Sequence, residues 1–171
     1  MKRKTSHLFR ALALAAGFFM VSAPAMAQVY GPGTSSASLS LGVAKQFGQD
    51  YTVISGRYGS FFVDEFEASL GLEVWRGHEP EIYKLIPELR YVSSSGQTFK
   101  PYVALFLMRS FYSHTVDSHN SFGARAGVYY VLNSSAYVGV GMVHERQESC
   151  DGAGLRECQY YYPEMTLHFR F

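Results

Sequence analysis

The sequence predicts an all-β protein, an eight-stranded antiparallel up-and-down transmembrane β-barrel. Three observations predict it. First, apolar and polar residues alternate with period two, the pattern of strands with one hydrocarbon face and one polar face. The last segment shows this plainly: Tyr161, Pro163, Met165, Leu167, Phe169 and Phe171 alternate with Tyr160, Tyr162, Glu164, Thr166, His168 and Arg170. Second, the longest unbroken apolar run after residue 27 is 102–108. That is too short for a spanning helix, so a chain of this kind crosses a bilayer only as a closed barrel. Third, the connections between strands alternate between tight turns and longer polar loops, as in small membrane barrels.

The chain starts with a secretory signal. Lys2, Arg3, Lys4 and Arg10 form a basic region, residues 11–21 an apolar one, and Ala25-Met26-Ala27 a small-x-small cleavage site. Residues 1–27 are therefore expected to be removed, with 28–34 a short extension and 35–171 the barrel. Cleavage takes four of the 15 Lys+Arg and none of the 14 Asp+Glu, leaving 11 against 14 and a net charge of −3. No Lys/Arg cluster survives, which excludes a nucleic-acid partner.

Strands are read at 36–47, 51–60, 65–75, 82–92, 100–111, 122–132, 136–146 and 159–171. In the first, Leu39, Leu41 and Val43 alternate with Ser38, Ser40 and Gly42. In the third, Phe66, Ala68, Leu70, Leu72 and Val74 alternate with Glu67, Ser69, Gly71 and Glu73. In the fourth, Tyr83, Leu85, Leu89 and Tyr91 alternate with Lys84, Glu88 and Arg90. The fifth is apolar on both faces, so its inward face stays unassigned. Turns are expected at 61–64, 93–98 and 133–135, and longer loops at 76–81, 112–121 and 147–158, with 48–50 a short exception. An even strand count puts both termini on the periplasmic side. Aromatic pairs flanking the connections, among them Phe47 with Tyr51, Phe61 with Phe66 and Trp75 with Tyr83, are expected to form interface girdles.

With the hydrophobic positions outward, the inward set holds Arg57, Glu67, Glu73, Lys84, Glu88, Arg90, Arg125, Glu145, Glu164, His168 and Arg170. An eight-stranded lumen is filled by side chains, and unpaired charges inside it are costly. Salt-bridge networks are therefore expected, forming a polar plug in preference to a narrow ion path.

The signal segment, strand count, loop asymmetry, the Phe-Lys-Pro-Tyr-Val run at 99–103 and the aromatic ending at Phe169 and Phe171 carry a resemblance. The chain resembles the small eight-stranded outer-membrane proteins, the OmpX, OmpA transmembrane-domain and opacity-protein group, over about residues 35–171. The resemblance implies location in the cell outer membrane and an assembly signal at Phe169 and Phe171 for the insertion machinery. It also implies a role as an adhesin, an envelope tether or a lipid-modifying enzyme. The tether role fits poorly, because the last strand is not followed by a peptidoglycan-binding domain.

Candidate chemistry is sparse. Cys150 and Cys158, the two cysteines, lie in the last loop; in an exported protein such a pair reads as a disulfide, and no histidine within the loop supports metal binding instead. His144-Glu145-Arg146-Gln147-Glu148 lacks the second histidine of a zinc-protease motif and lies on a strand. It is similar in position to the His-x-Ser-Asn motif of outer-membrane lipid A deacylases. Here Arg146 stands in place of the nucleophilic serine and Gln147 in place of the asparagine, with Ser149 the nearest hydroxyl, at the wrong spacing. His144, Glu145 and Glu148 thus remain weak catalytic candidates. His114, Asp117 and His119 read as residues of a solvated loop in preference to metal ligands. No cofactor is expected.

The function expected is that of a non-enzymatic outer-membrane barrel whose extracellular loops mediate adhesion or envelope integrity. Its partners would be membrane lipids including lipopolysaccharide, with an unknown surface ligand. The alternatives are a lipid A-modifying enzyme with a divergent site near His144, and a narrow pore.

Overall fold

The computed structural model describes residues 30–95, 98–113, 118–148 and 158–171. The expected signal peptide lies outside the described residues. Eight strands follow in order: β1 (Ser35–Gln46), β2 (Gln49–Val63), β3 (Phe66–Arg76), β4 (Ile82–Val92), β5 (Phe99–Tyr112), β6 (His119–Val131), β7 (Ala136–Gln147) and β8 (Gln159–Arg170). Each pairs antiparallel with the next, and β8 returns to β1, so the sheet is a closed up-and-down barrel. Closure satisfies the backbone polar groups that an open sheet edge would leave unpaired. At the seam, Ser35 N–H donates to Phe171 O at 2.9 Å and Phe171 N–H to Ser35 O at 3.0 Å. The β4–β5 ladder is interrupted at Ile86 and Pro87, where proline has no N–H to donate.

The strand ends joined by 47–48, 77–81, 113–118 and 148–158 lie at one end, the loop end. Those joined by 64–65, 93–98 and 132–135 lie at the other with the strand ends Ser35 and Arg170, the terminal end. The strands run longer than their periodicity suggests in two places. β2 continues to Val63 through a bulge between Phe61 and Val63, and β6 starts at His119. Both extensions are irregular or polar, so alternation alone does not mark them.

Period two decides which side chain goes where. Leu39, Leu41, Val43, Leu70, Leu72, Leu105, Leu107, Val140 and Met165 all point outward and stay exposed. Together they give the barrel a continuous apolar belt, far larger than a water-facing surface carries. The inward face holds the polar and aromatic residues. β5 settles its ambiguity here: Tyr102, Ala104, Phe106 and Met108 turn inward, and Val103, Leu105 and Leu107 outward. Room for the large β5 rings comes from glycines on β6 and β7. A Cβ at Gly127 would lie 2.6 Å from the Tyr102 hydroxyl, and one at Gly123 or Gly141 would also collide with Phe106 or Tyr102.

Three residues assigned to the girdles belong inside instead. Tyr51, Phe61 and Trp75 are 0%, 1% and 0% exposed, because they share the parity of the inward residues on their strands. Phe47, Phe66, Tyr83, Phe99, Phe111 and Phe122 do face outward near the ends.

Candidate functional site

The lumen is filled in three tiers. Toward the loop end, Tyr51, Trp75, Ile82, Ile86, Phe106, Met108, Val143, Tyr160 and Tyr162 pack together. Lys84 sits among them, 2.7 Å from Glu145 and 3.9 Å from Glu73. Its ammonium also lies 3.8 Å from the centre of the Trp75 ring, a favourable cation–π position. Trp75 Nε1–H donates to Glu73 at 2.6 Å, and Ser121 Oγ–H to Glu145 at 2.9 Å.

The middle tier is ionic. Glu88 accepts from Arg90 at 2.5 Å and forms ion pairs with Arg125 at 2.8 Å and Arg57 at 3.6 Å. Arg125 also reaches Glu164 at 2.7 Å, and Arg90 reaches Glu67 at 3.4 Å. Glu67 is further bonded by the Ser36 hydroxyl. The small inward residues of β1, Ser36, Ser38 and Ser40, leave space for these long side chains. Among the described residues the buried set contains five cations (Arg57, Lys84, Arg90, Lys100, Arg125) and five carboxylates (Glu67, Glu73, Glu88, Glu145, Glu164). The interior is thus charge-balanced, which suits a packed polar core and gives no electrostatic preference for one sign of ion.

Toward the terminal end, Phe61, Val92, Tyr102, Tyr129 and Tyr137 close the lumen. His168, 1% exposed, joins them, its ring 5.2 Å from that of Tyr129. Tyr30 completes this cap. Its ring lies 5.3 Å from Phe61 and 6.0 Å from Tyr137, and burial pushes its hydroxyl well above the usual tyrosine value. Its backbone carbonyl accepts from Glu65 N–H at 2.9 Å. The sequence places residue 30 in the short extension 28–34, and nothing in its local pattern marks it as a plug.

Arg170 departs from the rest of its inward set. It lies at the terminal rim, half-buried, and donates to Ser134 O at 2.5 Å. The last inward position of a strand lies at the barrel mouth, beyond the ionic tier. Phe169 and Phe171 are both outward; the Phe171 ring lies 6.3 Å from that of Tyr58.

The weak catalytic candidates are divided by the barrel wall. His144 faces outward and stacks on Tyr161 with centroids 4.5 Å apart and planes at 14°. Glu145 faces inward to Lys84 and Ser121. Glu148 is exposed past the end of β7. His144 and Glu145 therefore form no acid–base pair. Cys150, Ser149, His114 and Asp117 lie outside the described residues, as does most of the last loop. His119 begins β6 with its ring 5.8 Å from Tyr112. Among the described residues, no group of three or more His, Cys, Asp and Glu is placed to hold a metal.

No protein-family model matches the chain, and no curated protein sequence does. Solved structures do. Neisserial surface protein A is similar with a TM-score of 0.61 at 11% identity, covering 81% of this chain and 96% of that one. The N-terminal β-barrel domain of Pseudomonas aeruginosa OprF gives 0.59 at 16% identity, over 82% and 99%. This is the fold of the small outer-membrane β-barrels. A de novo designed transmembrane β-barrel is similar too, with a TM-score of 0.60 at 12% identity, over 85% of this chain and 100% of that one. At such identities the likeness concerns architecture alone.

Proposed function

We propose that this chain is an outer-membrane barrel that acts through its loops, a non-enzymatic scaffold for adhesion or envelope-stabilising contacts. In this reading the apolar belt sits in the bilayer, the loop end faces outside, and lipopolysaccharide borders the loop-end rim. The 147–158 loop, held by a Cys150–Cys158 disulfide, and the 112–121 loop carry the partner contacts. The observation that supports it most is the filled lumen: aromatic caps at both ends around a charge-balanced ionic tier. Such an interior suits a rigid support and not a conduit.

The test is deletion of residues 151–157 in a strain that depends on the protein for adhesion or envelope integrity. The barrel is expected to assemble normally and the phenotype to disappear; a phenotype that survives overturns the loop reading. Planar-bilayer recording of the full mature protein is expected to give no steady conductance, and defined open steps would favour the pore instead. The enzymatic alternative is checked by mass spectrometry of lipid A with and without the protein. A shift of one acyl chain overturns the scaffold reading and makes His144 the first residue to replace.

A further inference from the structure

Basic residues are distributed unevenly around the outside of the barrel. Near the loop end the outward faces carry Lys45, Arg76, Arg109 and Arg146, all exposed. Near the terminal end they carry Tyr58, Phe66, Phe99 and Tyr130, with no outward lysine or arginine among the described residues. Two of the four loop-end cations have carboxylates beside them. Arg76 Nε lies 3.7 Å from Glu81, and Lys45 stands directly opposite Asp50 on β2. Arg109 and Arg146 make no ion pair among the described residues.

These two flank β6. Arg109 on β5 opposes Asn120, and Arg146 on β7 opposes Phe122. Asn120 and Phe122 are successive outward residues of β6. With strands about 5 Å apart and a two-residue offset along β6, the two arginine backbones are roughly 12 Å apart, a gap that two extended arginines bridge around one anion. Arg109 is already oriented: its Nη1–H donates to Asn120 Oδ1 at 3.1 Å, and its guanidinium lies 5.9 Å from the Phe111 ring. Glu148, two residues beyond Arg146, is bonded through its backbone N–H to Asn120 O at 3.1 Å and pairs with neither arginine.

Below this pair the wall changes. The next outward residues of β6 are Ala124 and Ala126, opposed by Leu105 and Val103 on one side and His144 and Met142 on the other. Two alanines between larger neighbours leave a low strip that begins below Phe122, which is level with Arg146, and runs into the apolar belt.

We infer that Arg109, Asn120 and Arg146 form a docking site for the phosphate headgroup of a membrane lipid, with an acyl chain lying along the Ala124–Ala126 strip. The site rests on the proposed membrane reading. Guanidinium groups match phosphate oxygens bidentately. The strip beneath them favours a lipid over a free phosphate, which would gain nothing from it.

The experiment is native mass spectrometry of the mature, folded chain in neutral detergent, titrated with dioleoyl phosphatidic acid. Dioleoyl phosphatidylcholine and inorganic phosphate serve as comparisons. One phosphatidic acid is expected to be retained in preference to phosphatidylcholine, and inorganic phosphate not at all. Arg109→Gln with Arg146→Gln is expected to weaken retention roughly tenfold or more, while Lys45→Gln leaves it unchanged. Ala126→Phe, which fills the strip without changing charge, is expected to weaken it too. Equal retention by the double variant, or an equal loss in Lys45→Gln, overturns the site; so does retention of phosphate alone. Each variant is first shown to be folded by heat-modifiable gel mobility. Flotation with phosphatidylcholine vesicles separates the two levels of failure: a chain that never enters vesicles sinks the membrane reading, whereas one that enters them but retains no phosphatidic acid sinks the site alone.

Discussion

Glu88 and Arg125 meet in the lumen with Oε2 and Nε 2.8 Å apart, and Arg57 and Arg90 converge on the same carboxylate. One anion thus contacts three buried guanidinium groups, with Glu67 and Glu164 sharing Arg90 and Arg125. Removing one partner of a buried pair leaves the other charges uncompensated, at a cost of about 3–5 kcal/mol. Glu88→Gln is expected to lower barrel stability by that order, read as the urea midpoint of the heat-modifiable form. Adding Arg125→Gln should return part of the loss, since the two sites share one network. A stability unchanged by Glu88→Gln would show that water already screens this tier.

Tyr102 occupies space that β6 and β7 leave by having no side chain. Gly127→Ala would put a methyl 2.6 Å from the Tyr102 hydroxyl and in collision with Val140 O. The expected cost is about 1–3 kcal/mol, typical of overpacking. Tyr102→Ala in the same chain should make the Gly127→Ala step cheaper, because the ring it strikes is gone. Strict additivity of the two would mean that the backbone contact decides.

Glu65 connects two turns at the terminal end. Ser94 N–H donates to its carboxylate at 2.6 Å, and its own carbonyl accepts from Val92 N–H at 2.8 Å. Hydrogen bonds from the Ser94 hydroxyl, then its N–H, hold the carboxyl below the usual glutamate value. A lowered folded-state value means that the contribution is present above the unfolded glutamate pKa, about 4.3. It is lost as pH falls through the folded-state value. Amide exchange at Ser94 is expected to accelerate in acid beyond its intrinsic dependence, and Glu65→Gln to show the faster exchange at neutral pH. Equal exchange in the variant and the wild type at pH 7 would remove Glu65 from this role.

Phe171 pairs with Ser35 at the seam and leans its ring toward Tyr58. Phe171→Ala is expected to lower the yield of outer-membrane insertion several-fold while leaving the stability of the inserted fraction little changed, since the ring is exposed. Pulse-labelled insertion followed by gel mobility measures both. A normal yield would count against a terminal assembly signal.

Most of the architecture was legible because period two acts strand by strand. Leu39 to Val43 and Phe66 to Val74 each declare an outward face without reference to any other strand. β5 was not legible, since the residues that admit Tyr102 and Phe106 are glycines on β6 and β7, distant in sequence. Trp75 was misassigned because its nearness to a strand end suggested a girdle, whereas parity with Glu73 places it inside. The charged tier could be listed from alternation, but its pairing across the lumen depends on register. Arg170 fails for a related reason: parity gives the face and not the depth. As for the site, Arg109 and Arg146 carry no motif; only the register that sets them either side of β6 brings them together.

Several ion pairs of the lumen join strands that are not neighbours in the sheet. Lys84–Glu145 links β4 to β7, Arg125–Glu164 links β6 to β8, and Arg57–Glu88 links β2 to β4. These three cannot form while the sheet lies flat, when only the pairs within or between neighbouring strands, Lys84–Glu73, Arg90–Glu67 and Arg90–Glu88, are available, so a half-curled intermediate leaves Arg57, Arg125, Glu145 and Glu164 without their cross-lumen partners. The curled and uncurled forms are thereby separated by a steep divide, and the barrel is built to be either shut or absent, with little population between.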